Sequence, residues 1–319
     1  MTGVQTCALP IWKALALKPG SHNAHWGLLF ALNQILGRHP AEIYAEHRAF
    51  AQRFYRPAKT RPHGNTPDPG RTLRIGYVSG DFRDHPVGQF IAPVLARHDR
   101  SRFQISCYCN AQISDGVTAR LKACADRWHE VFALGDDALT ELIRRDGIDI
   151  LVDLSGHTAN TRLHAFAYKP APVQVTWLGY LNTTGMQEMD YRITDPRASP
   201  VGMLEDFHTE RLVRLPDSQW CYEAPAECPE VAEPPSISAG HVTFASFSNL
   251  AKMGPPVVEL WSRLLARVPD SRLLVAWRGL GSIRDEFCAR FSRHGVPPER
   301  LELRDRLAFK DYLALHGST

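Results

Sequence analysis

The sequence lacks any apolar run close to the roughly 18 residues that a membrane-spanning helix needs, and its first residues lack the charged-then-apolar order of a secretory signal. It also lacks blocks of lysine or arginine, and the net charge is only +3. Nothing therefore indicates a nucleic acid or a membrane surface as a partner. With 44% hydrophobic residues the chain can bury a core, so we expect a cytoplasmic globular protein.

The sequence also lacks a C-x-x-C pair, although it has seven cysteines. An odd number at scattered positions argues against both a disulfide framework and a zinc site. We expect most of them to be small core residues. They are Cys7, Cys107, Cys109, Cys124, Cys221, Cys228 and Cys288.

Both ends of the sequence indicate a fragment of a longer gene. Residues 1–11, MTGVQTCALPI, match residue for residue the translation of a common short-read sequencing adapter whose first GTG is read as a start codon. We interpret them as an assembly artefact and exclude them from the fold argument. At the other end, DYLALHGST stops inside a helical pattern without a capping signal.

The segment 12–55 is predicted to be helical, because apolar residues recur there at three- and four-residue spacing. The stretch KALALKPGSHNAHWGLLFAL is similar to the end of a tetratricopeptide unit running into a further helix. An ordinary helical extension is the alternative. Residues 56–72, dense in proline, glycine and polar residues, are predicted to be a linker.

The region 73–222 alternates between strand-like and helix-like segments, which indicates βαβ units and a parallel sheet covered on both faces. The predicted strands are 73–79, 103–109, 148–156 and 172–180, and the predicted helices are 87–98, 115–124 and 137–145.

A second α/β region follows a proline-rich linker at 223–240 and covers residues 241–319. Its predicted strands are 242–248, 271–277 and 301–305, with helices at 255–268 and 282–294. Three strands are too few for a complete doubly wound domain, so we expect a truncated second lobe.

Polar residues follow the predicted strands of the first region at their carboxyl ends, where ligands of open parallel sheets bind. Asp81 and His85 follow the first strand, His157 follows the third, and the turn 178–185 follows the fourth. We expect all of them at one edge of the sheet. A carboxylate such as Asp81 is expected to raise the pKa of His85 and to fix its tautomer, which suits a general base near neutral pH.

Five motifs occur in order along the chain, and together they resemble glycosyltransferase family 41, the bacterial protein O-GlcNAc transferase and SPINDLY-like group. The resemblance covers about residues 13–319. The motifs are RIGYVSGDFRDHPVGQF, GIDILVDLSGHTANTRL, KPAPVQVTWLGYLNTTGMQEMDYRITD, ERLVRLP and FASFSNLAKM.

The resemblance implies a GT-B fold of two Rossmann-like lobes, the second incomplete here, preceded by a helical tetratricopeptide-like remnant. It implies transfer of N-acetylglucosamine from UDP-GlcNAc to Ser or Thr hydroxyls of proteins, with inversion at the anomeric carbon and without a metal or other cofactor. The partners are then a nucleotide sugar and a protein or peptide acceptor.

The resemblance also assigns roles to individual residues. His85 corresponds to the family histidine beside the reacting sugar, as base or proton relay, and Asp81 to an acid proposed for the same work. Lys252 corresponds to the lysine that neutralises the diphosphate leaving group. We expect His85 and Lys252 to face each other across a groove between the lobes. The expected substrate-binding positions are Leu178 and Gly179 in the sugar pocket, Asn249 near the donor, and His157 and Arg162 on the acceptor side.

Two departures from the family pattern bear on activity. Leu181 stands where the family usually has proline after WLGY, which changes the sugar-pocket turn. The later segment that grips the diphosphate and the uracil has no counterpart, so we expect the chain as written to bind UDP-GlcNAc weakly and not to turn over, although its parent does. A non-catalytic scaffold, or a transferase for another nucleotide sugar, are the alternatives.

Overall fold

A computed structural model describes residues 3–35, 37–55, 61–225, 228–231, 233–277, 280–305 and 307–319, without the side chains of residues 3–9 and 251. The chain divides into two compact units. The first is Ala14–Glu223, and the second is Ala224–Thr319 with the N-terminal residues up to Lys13.

Three helices open the chain: α1 (Gly3–Leu17), α2 (His22–Leu32) and α3 (Pro40–Phe54). The spacing of apolar residues predicted α2, α3 and the end of α1, whereas residues 3–11 of α1 had been excluded from the fold argument. The Ser21 hydroxyl caps α2 by accepting a hydrogen bond from the Ala24 amide, and a proline occupies the first position of α3. Leu29 in α2 and Phe50 in α3 belong to the same buried cluster as Val78 and Leu151 of the sheet. The two helices therefore share a core with the α/β region.

The α/β region of the first unit is a seven-stranded parallel sheet with strand order β3-β2-β1-β4-β5-β6-β7. The order reverses between β1 and β4, which is the point where doubly wound sheets open a ligand crevice. The elements in chain order are β1 (Leu73–Ser79), α4 (Pro86–Arg97), β2 (Phe103–Cys109), α5 (Gly116–Ala123), β3 (Arg127–Glu130), α6 (Asp136–Asp146), β4 (Ile150–Asp153), α7 (Leu163–Ala167), β5 (Val173–Thr176), β6 (Tyr191–Thr194) and β7 (Arg211–Arg214).

Successive residues of the central strands bury their side chains on opposite faces of this sheet. Tyr77 and Cys107 pack in one apolar cluster, and their neighbours Val78 and Tyr108 pack in the other. This period-two alternation between two buried faces explains why the strands have nearly continuous apolar sequences.

The described part of the 56–72 linker is fastened to the sheet. The Asn65 amide donates to the Gly147 carbonyl at 3.0 Å and to Asp149 Oδ1 at 2.6 Å. The Arg71 guanidinium donates to both carboxylate oxygens of Asp149, which lowers the pKa of that carboxyl against the effect of its burial. Asn65 and Arg71 therefore hold this part of the linker against the amino-terminal end of β4.

The second unit contains a three-stranded parallel sheet of order β10-β9-β8. A separate apolar cluster including Leu273, Phe287 and Phe291 forms its core. The elements are α8 (Pro235–Ala239), β8 (Thr243–Ser246), α9 (Pro255–Arg267), β9 (Arg272–Ala276), α10 (Arg284–Ser292), β10 (Leu301–Arg304) and α11 (Phe309–Leu315).

The predicted α/β architecture with two Rossmann-like sheets is confirmed, with several corrections. The strand predicted at 148–156 ends at Asp153, because the Ser155 and Gly156 amides turn back to donate to that carboxylate. The predicted linker 223–240 contains the short helix Pro235–Ala239. The predicted strand at 172–180 ends at Thr176, because residues 177–180 form a tight turn instead. The sequence reading also missed β3, β6 and β7. These strands, RWHE, YRIT and RLVR, have four residues each and contain at least one arginine, so they lack the apolar runs that marked the other strands.

Cys107 and Cys109 lie buried in the core, as expected of small apolar residues, but Cys221 is exposed. The Cys7 side chain lies outside the described residues. Among the helices that the structure describes, none has both the length and the apolar character needed to cross a membrane.

Candidate active site

The loops that follow β1 and β4 meet at the point where the strand order reverses. Gly80 lies so close to the second loop that a Cβ atom there would sit 2.6 Å from Asn160 Cβ. Asn160 itself has a positive φ of 57°. The Gly80 amide also lies 3.4 Å from the Ser155 hydroxyl, to which it donates. The two loops are thus in backbone contact, and glycine is required for it.

Asp81 follows β1 at this crevice, and its side chain is only 11% exposed. Arg83 donates to Asp81 Oδ1 at 2.8 Å. Asp81 Oδ2 lies 3.7 Å from His85 Nδ1, which is close enough for electrostatic attraction but too long for a hydrogen bond. The sequence prediction that Asp81 and His85 lie together is confirmed by this distance.

His85 is the N-cap of α4, and its Nδ1 atom accepts a hydrogen bond from the Val87 amide at 3.3 Å. An Nδ1 that accepts carries no proton, so the neutral ring carries its proton on Nε2. The tautomer is therefore set by the helix N-terminus, and the expectation that Asp81 sets it is wrong. A side-chain exposure of 36% leaves the ring accessible to a ligand.

The pKa of His85 is lowered from its usual value, contrary to the sequence expectation. Burial is the main cause, and the Arg83 cation adds to it, while Asp81 acts in the opposite direction. The desolvation of the imidazolium outweighs the attraction of a carboxylate 3.7 Å away. His85 is consequently a neutral ring near pH 7.

The loop after β5 begins with a strained turn at the two predicted sugar-pocket residues. Leu178 has a φ of 74°, and the Gly179 amide donates to the Trp177 carbonyl at 2.9 Å. This is a γ-turn of the rare kind with positive φ, which persists only where the surrounding structure holds it. A Cβ atom on Gly179 would lie 2.1 Å from the Leu154 carbonyl oxygen, so the turn presses against the end of β4. Leu181, two residues further, is 64% exposed.

Asp153, at the end of β4, is a buried residue of this region that the sequence reading missed. Its carboxylate accepts from the Ser155 amide at 3.1 Å, the Gly156 amide at 2.8 Å and the Thr176 hydroxyl at 2.9 Å. Burial raises its pKa to about 6 in spite of these three donors. Asp153 joins the loop after β4 to the end of β5. The sequence feature that could have indicated Asp153 is a carboxylate at the end of an otherwise apolar strand.

Glu210, before β7, holds the loop after β5 from the other side and was also missed. It accepts from the Thr183 hydroxyl at 2.6 Å and from the Thr184 amide at 2.7 Å, and the Thr184 hydroxyl donates to it as well. With 3% of its surface exposed, Glu210 is anchored in the interior. Its partners are 26 or 27 residues away in sequence, so no local pattern indicated the contact.

His157 and Arg162 occupy the predicted loop after β4, but their side chains turn into the interior. His157 is completely buried, donates from Nε2 to the Thr184 carbonyl at 2.9 Å, and has its pKa lowered to about 3 by burial. The Arg162 guanidinium donates to Asp136 Oδ1 at 2.8 Å and to the Leu134 carbonyl at 2.8 Å. This placement favours a role in shaping the loop over direct contact with an acceptor.

Lys252 and Asn249 lie in the second unit, between β8 and α9. A short 3-10 helix, Leu250–Lys252, follows β8, and the Lys252 amide donates to the Asn249 carbonyl at 2.9 Å. The Lys252 side chain is exposed. Within its own sheet the lysine therefore follows the carboxyl end of a strand and precedes a helix N-terminus, the position at which parallel sheets bind phosphate.

The described residues contain no group of three or more His, Cys, Asp or Glu side chains placed to hold a metal ion. Within the first unit the candidate site consists of the Asp81 and His85 pair and the backbone of the Leu178–Gly179 turn. Lys252 belongs to the second unit.

Known proteins similar to this chain include plant, animal and bacterial transferases. A Petunia hybrida protein named "Probable UDP-N-acetylglucosamine--peptide N-acetylglucosaminyltransferase SPINDLY" is 40% identical over 296 residues, which cover 91% of this chain and 32% of the relative. A Caenorhabditis elegans UDP-N-acetylglucosamine–peptide N-acetylglucosaminyltransferase is 41% identical over 150 residues, 46% of this chain and 13% of the relative. The chain thus spans about a third of the length of the curated relatives that match most of it.

Among solved structures, a mutant of the Thermobaculum terrenum O-GlcNAc transferase superposes with a TM-score of 0.92 at 41% identity. The superposition covers 98% of this chain and 60% of the other. Residues 21–223 match the family described as glycosyl transferase family 41. The chain belongs to glycosyl transferase family 41.

Proposed function

We propose that the protein transfers N-acetylglucosamine from UDP-GlcNAc to Ser or Thr hydroxyls of proteins with inversion. The observation that carries the proposal is that Asp81, the accessible His85 ring and the strained Leu178–Gly179 turn follow strands of one parallel sheet, in a chain 40% identical to a relative named for this activity. The nucleotide sugar and a protein or peptide are its substrates.

The reaction is a single displacement. The acceptor oxygen forms a bond to the anomeric carbon while the bond from that carbon to the UDP oxygen breaks, the hydroxyl proton passes to a base, and UDP leaves with the bonding electron pair. In the tautomer that the cap hydrogen bond requires, His85 Nε2 is a donor, so the proton goes either to the Asp81 carboxylate or to His85 after its tautomer has changed. The pH profiles of Asp81→Asn and His85→Asn separate the two routes.

Charge on the departing diphosphate is assigned to Lys252, with Asn249 as a nearby polar contact to the donor. The proposal includes a GT-B fold. It also includes a tetratricopeptide-like origin for the helical segment 12–55 and a cytoplasmic location. The backbone at Leu178 and Gly179 would line the sugar pocket.

The test uses the full-length gene product that contains this chain. It is incubated with UDP-GlcNAc and a protein extract, and modified peptides are identified by mass spectrometry. We expect N-acetylhexosamine on Ser or Thr, lost in the Lys252→Ala variant. NMR of the product should show the anomeric configuration opposite to that of the donor. A folded wild-type protein that modifies nothing with any donor would support the scaffold alternative instead.

A transferase for a different nucleotide sugar is the second candidate, because the exposed Leu181 removes the backbone constraint of the usual proline directly after the sugar-pocket turn. Parallel incubations with the glucosyl and fucosyl nucleotide donors decide between the sugars. Faster transfer from either of them than from UDP-GlcNAc would leave the fold and the residue roles standing and change the substrate.

A further inference from the structure

A network of short hydrogen bonds joins the helices α2 and α3 to the loop after β5. The Tyr180 hydroxyl lies 2.7 Å from His47 Nε2, and Asn33 Nδ2 lies 2.7 Å from the Tyr180 oxygen. His47 Nδ1 lies 2.7 Å from the Ile43 carbonyl oxygen. These contacts link residues that are 133 and 147 positions apart in sequence.

The donor and the acceptor of each hydrogen bond in this network follow from the chemistry of the groups. A carbonyl oxygen only accepts, so His47 Nδ1 carries the proton and Nε2 is the acceptor in the neutral ring. The Tyr180 hydroxyl therefore donates to Nε2 at 2.7 Å, in preference to the Leu29 carbonyl oxygen 3.4 Å away, and its oxygen accepts from the Asn33 amide. Burial holds His47 neutral, with its pKa lowered to about 4. Each donor and acceptor in this network therefore has a partner of the correct polarity.

Tyr180 and the α3 backbone are also closely packed against two glycines of the neighbouring loops. Gly156 has a φ of 55°, and a Cβ atom on it would lie 2.3 Å from Tyr180 Cβ. Gly185 has a φ of 74°, and a Cβ atom there would lie 2.4 Å from the His47 carbonyl oxygen. The α3 backbone and the Tyr180 side chain therefore pack directly on the backbone of these two glycines, where no other side chain would fit.

Tyr180 is the residue that follows the Leu178–Gly179 turn directly, and it is anchored through its backbone as well. Arg192 donates to the Tyr180 carbonyl at 2.9 Å and to the Asn182 carbonyl at 2.8 Å. A leucine with positive φ needs surroundings that hold it in place. Those surroundings include α2 and α3, because Asn33 and His47 hold the ring of Tyr180.

We propose that Tyr180 is a positioning residue, through which Asn33 and His47 of the helical segment fix the backbone of the Leu178–Gly179 turn in the geometry that binds the donor sugar. The inference rests on the proposed function for its effect on catalysis, but the mechanical link from the helices to the turn stands independently of it. The helical segment then contributes to the donor site without touching the donor.

The experiment compares Tyr180→Phe with Tyr108→Phe in the full-length gene product. Tyr108 is a matched control, because its buried hydroxyl also donates one hydrogen bond, to Asp146 at 2.7 Å, but belongs to β2. We expect Tyr180→Phe to lower kcat/KM for the nucleotide sugar by roughly ten- to a hundredfold, the range that follows from a small misplacement of binding groups. Tyr108→Phe should stay within about twofold of the wild type, whatever its thermal midpoint.

Two substitutions of His47 test the direction of the link. In His47→Gln the amide oxygen can accept from the Tyr180 hydroxyl in place of Nε2, whereas the shorter side chain of His47→Asn can only replace Nδ1. We expect His47→Gln to keep most of the activity and His47→Asn to lose as much as Tyr180→Phe. Equal activity of the two variants would overturn the inference.

Amide hydrogen exchange of peptides covering residues 177–185 provides a measurement that does not depend on transfer. Tyr180→Phe and His47→Asn should increase exchange in this segment, and Tyr108→Phe should leave it unchanged. A wild-type protein without transferase activity would refute the proposed function while this measurement still tests the link. Unchanged exchange in Tyr180→Phe would refute the link, whatever the activity.

Discussion

His85 Nδ1 accepts a hydrogen bond from the Val87 amide, so the imidazole caps α4 while its ring stays accessible beside Asp81. The two roles can be separated by substitution. Asparagine is among the best N-cap residues, and alanine is a poor one. We expect His85→Ala to lose about 1 kcal/mol of unfolding free energy and His85→Asn to lose little, whereas both lose transfer activity.

Urea unfolding and a transfer assay on the same preparations check this prediction. If His85→Asn were as active as the wild type, the imidazole would have no part in the reaction and its role would be capping alone.

Gly179 should not tolerate a methyl group, because a Cβ atom there would lie 2.1 Å from the Leu154 carbonyl oxygen. The turn must move away from β4 to admit it. We expect Gly179→Ala to reduce the unfolding free energy by about 1–3 kcal/mol, as overpacking typically does, and to raise KM for the nucleotide sugar. Gly116→Ala is the matched control, since a Cβ atom at Gly116 meets nothing within 4 Å. A Gly179→Ala protein indistinguishable from Gly116→Ala would contradict the described turn.

Lys252→Ala should lower kcat by a factor on the order of 10²–10³, the loss expected when one stabiliser of transition-state charge is removed. Its folding should be unaffected, because the side chain is exposed. Lys310→Ala, which removes another exposed lysine of the same unit, provides the control. Steady-state kinetics of the full-length gene product with UDP-GlcNAc check this prediction, and an equal, small effect of both substitutions would remove Lys252 from the mechanism.

Acid should destabilise the protein through its buried histidines. Burial lowers the pKa of His47 to about 4 and of His157 to about 3, against about 6.5 in the unfolded chain. Their contribution is fully present above pH 6.5 or so and is lost as the pH falls through these folded values. Asp153 acts in the opposite direction, because its raised pKa of about 6 makes the folded state bind a proton below that pH.

Between about pH 6 and pH 4 these three groups together make the unfolded state bind one net proton more than the folded state. Their combined effect is a loss of about 1.4 kcal/mol of unfolding free energy per pH unit on acidification. His47→Gln should reduce the measured slope by about that amount, and Asp153→Asn should increase it by the same amount. Urea unfolding at a series of pH values gives the slopes. Identical slopes for all three proteins would show that these groups do not titrate as burial requires.

The fold was predictable where side chains repeat with a simple period. The apolar runs at β1, β2, β4 and β5 indicated the parallel sheet, and the helix spacing indicated α2 and α3. The position of Asp81 and His85 at the carboxyl edge followed from the same pattern. Strand β6 was not predictable, because an arginine is expected at the surface. Arg192 is instead buried and donates hydrogen bonds to backbone carbonyls.

The candidate site was predictable in position and much less in its electrostatics. The pKa of His85 depends on burial, which the sequence does not display, and its tautomer depends on a cap hydrogen bond. His157 stands in the predicted loop, but a loop has no periodicity that says which side chain turns inward. The contact between His47 and Tyr180 joins positions 133 residues apart, so only the folded chain reveals it.

The close approach of Gly80 to Asn160 has a consequence for how the crevice could respond to a ligand. Because residue 80 has no side chain, the segment after β1 packs directly against Asn160 in the segment after β4. A ligand that displaces one of these segments therefore disturbs the packing of the other.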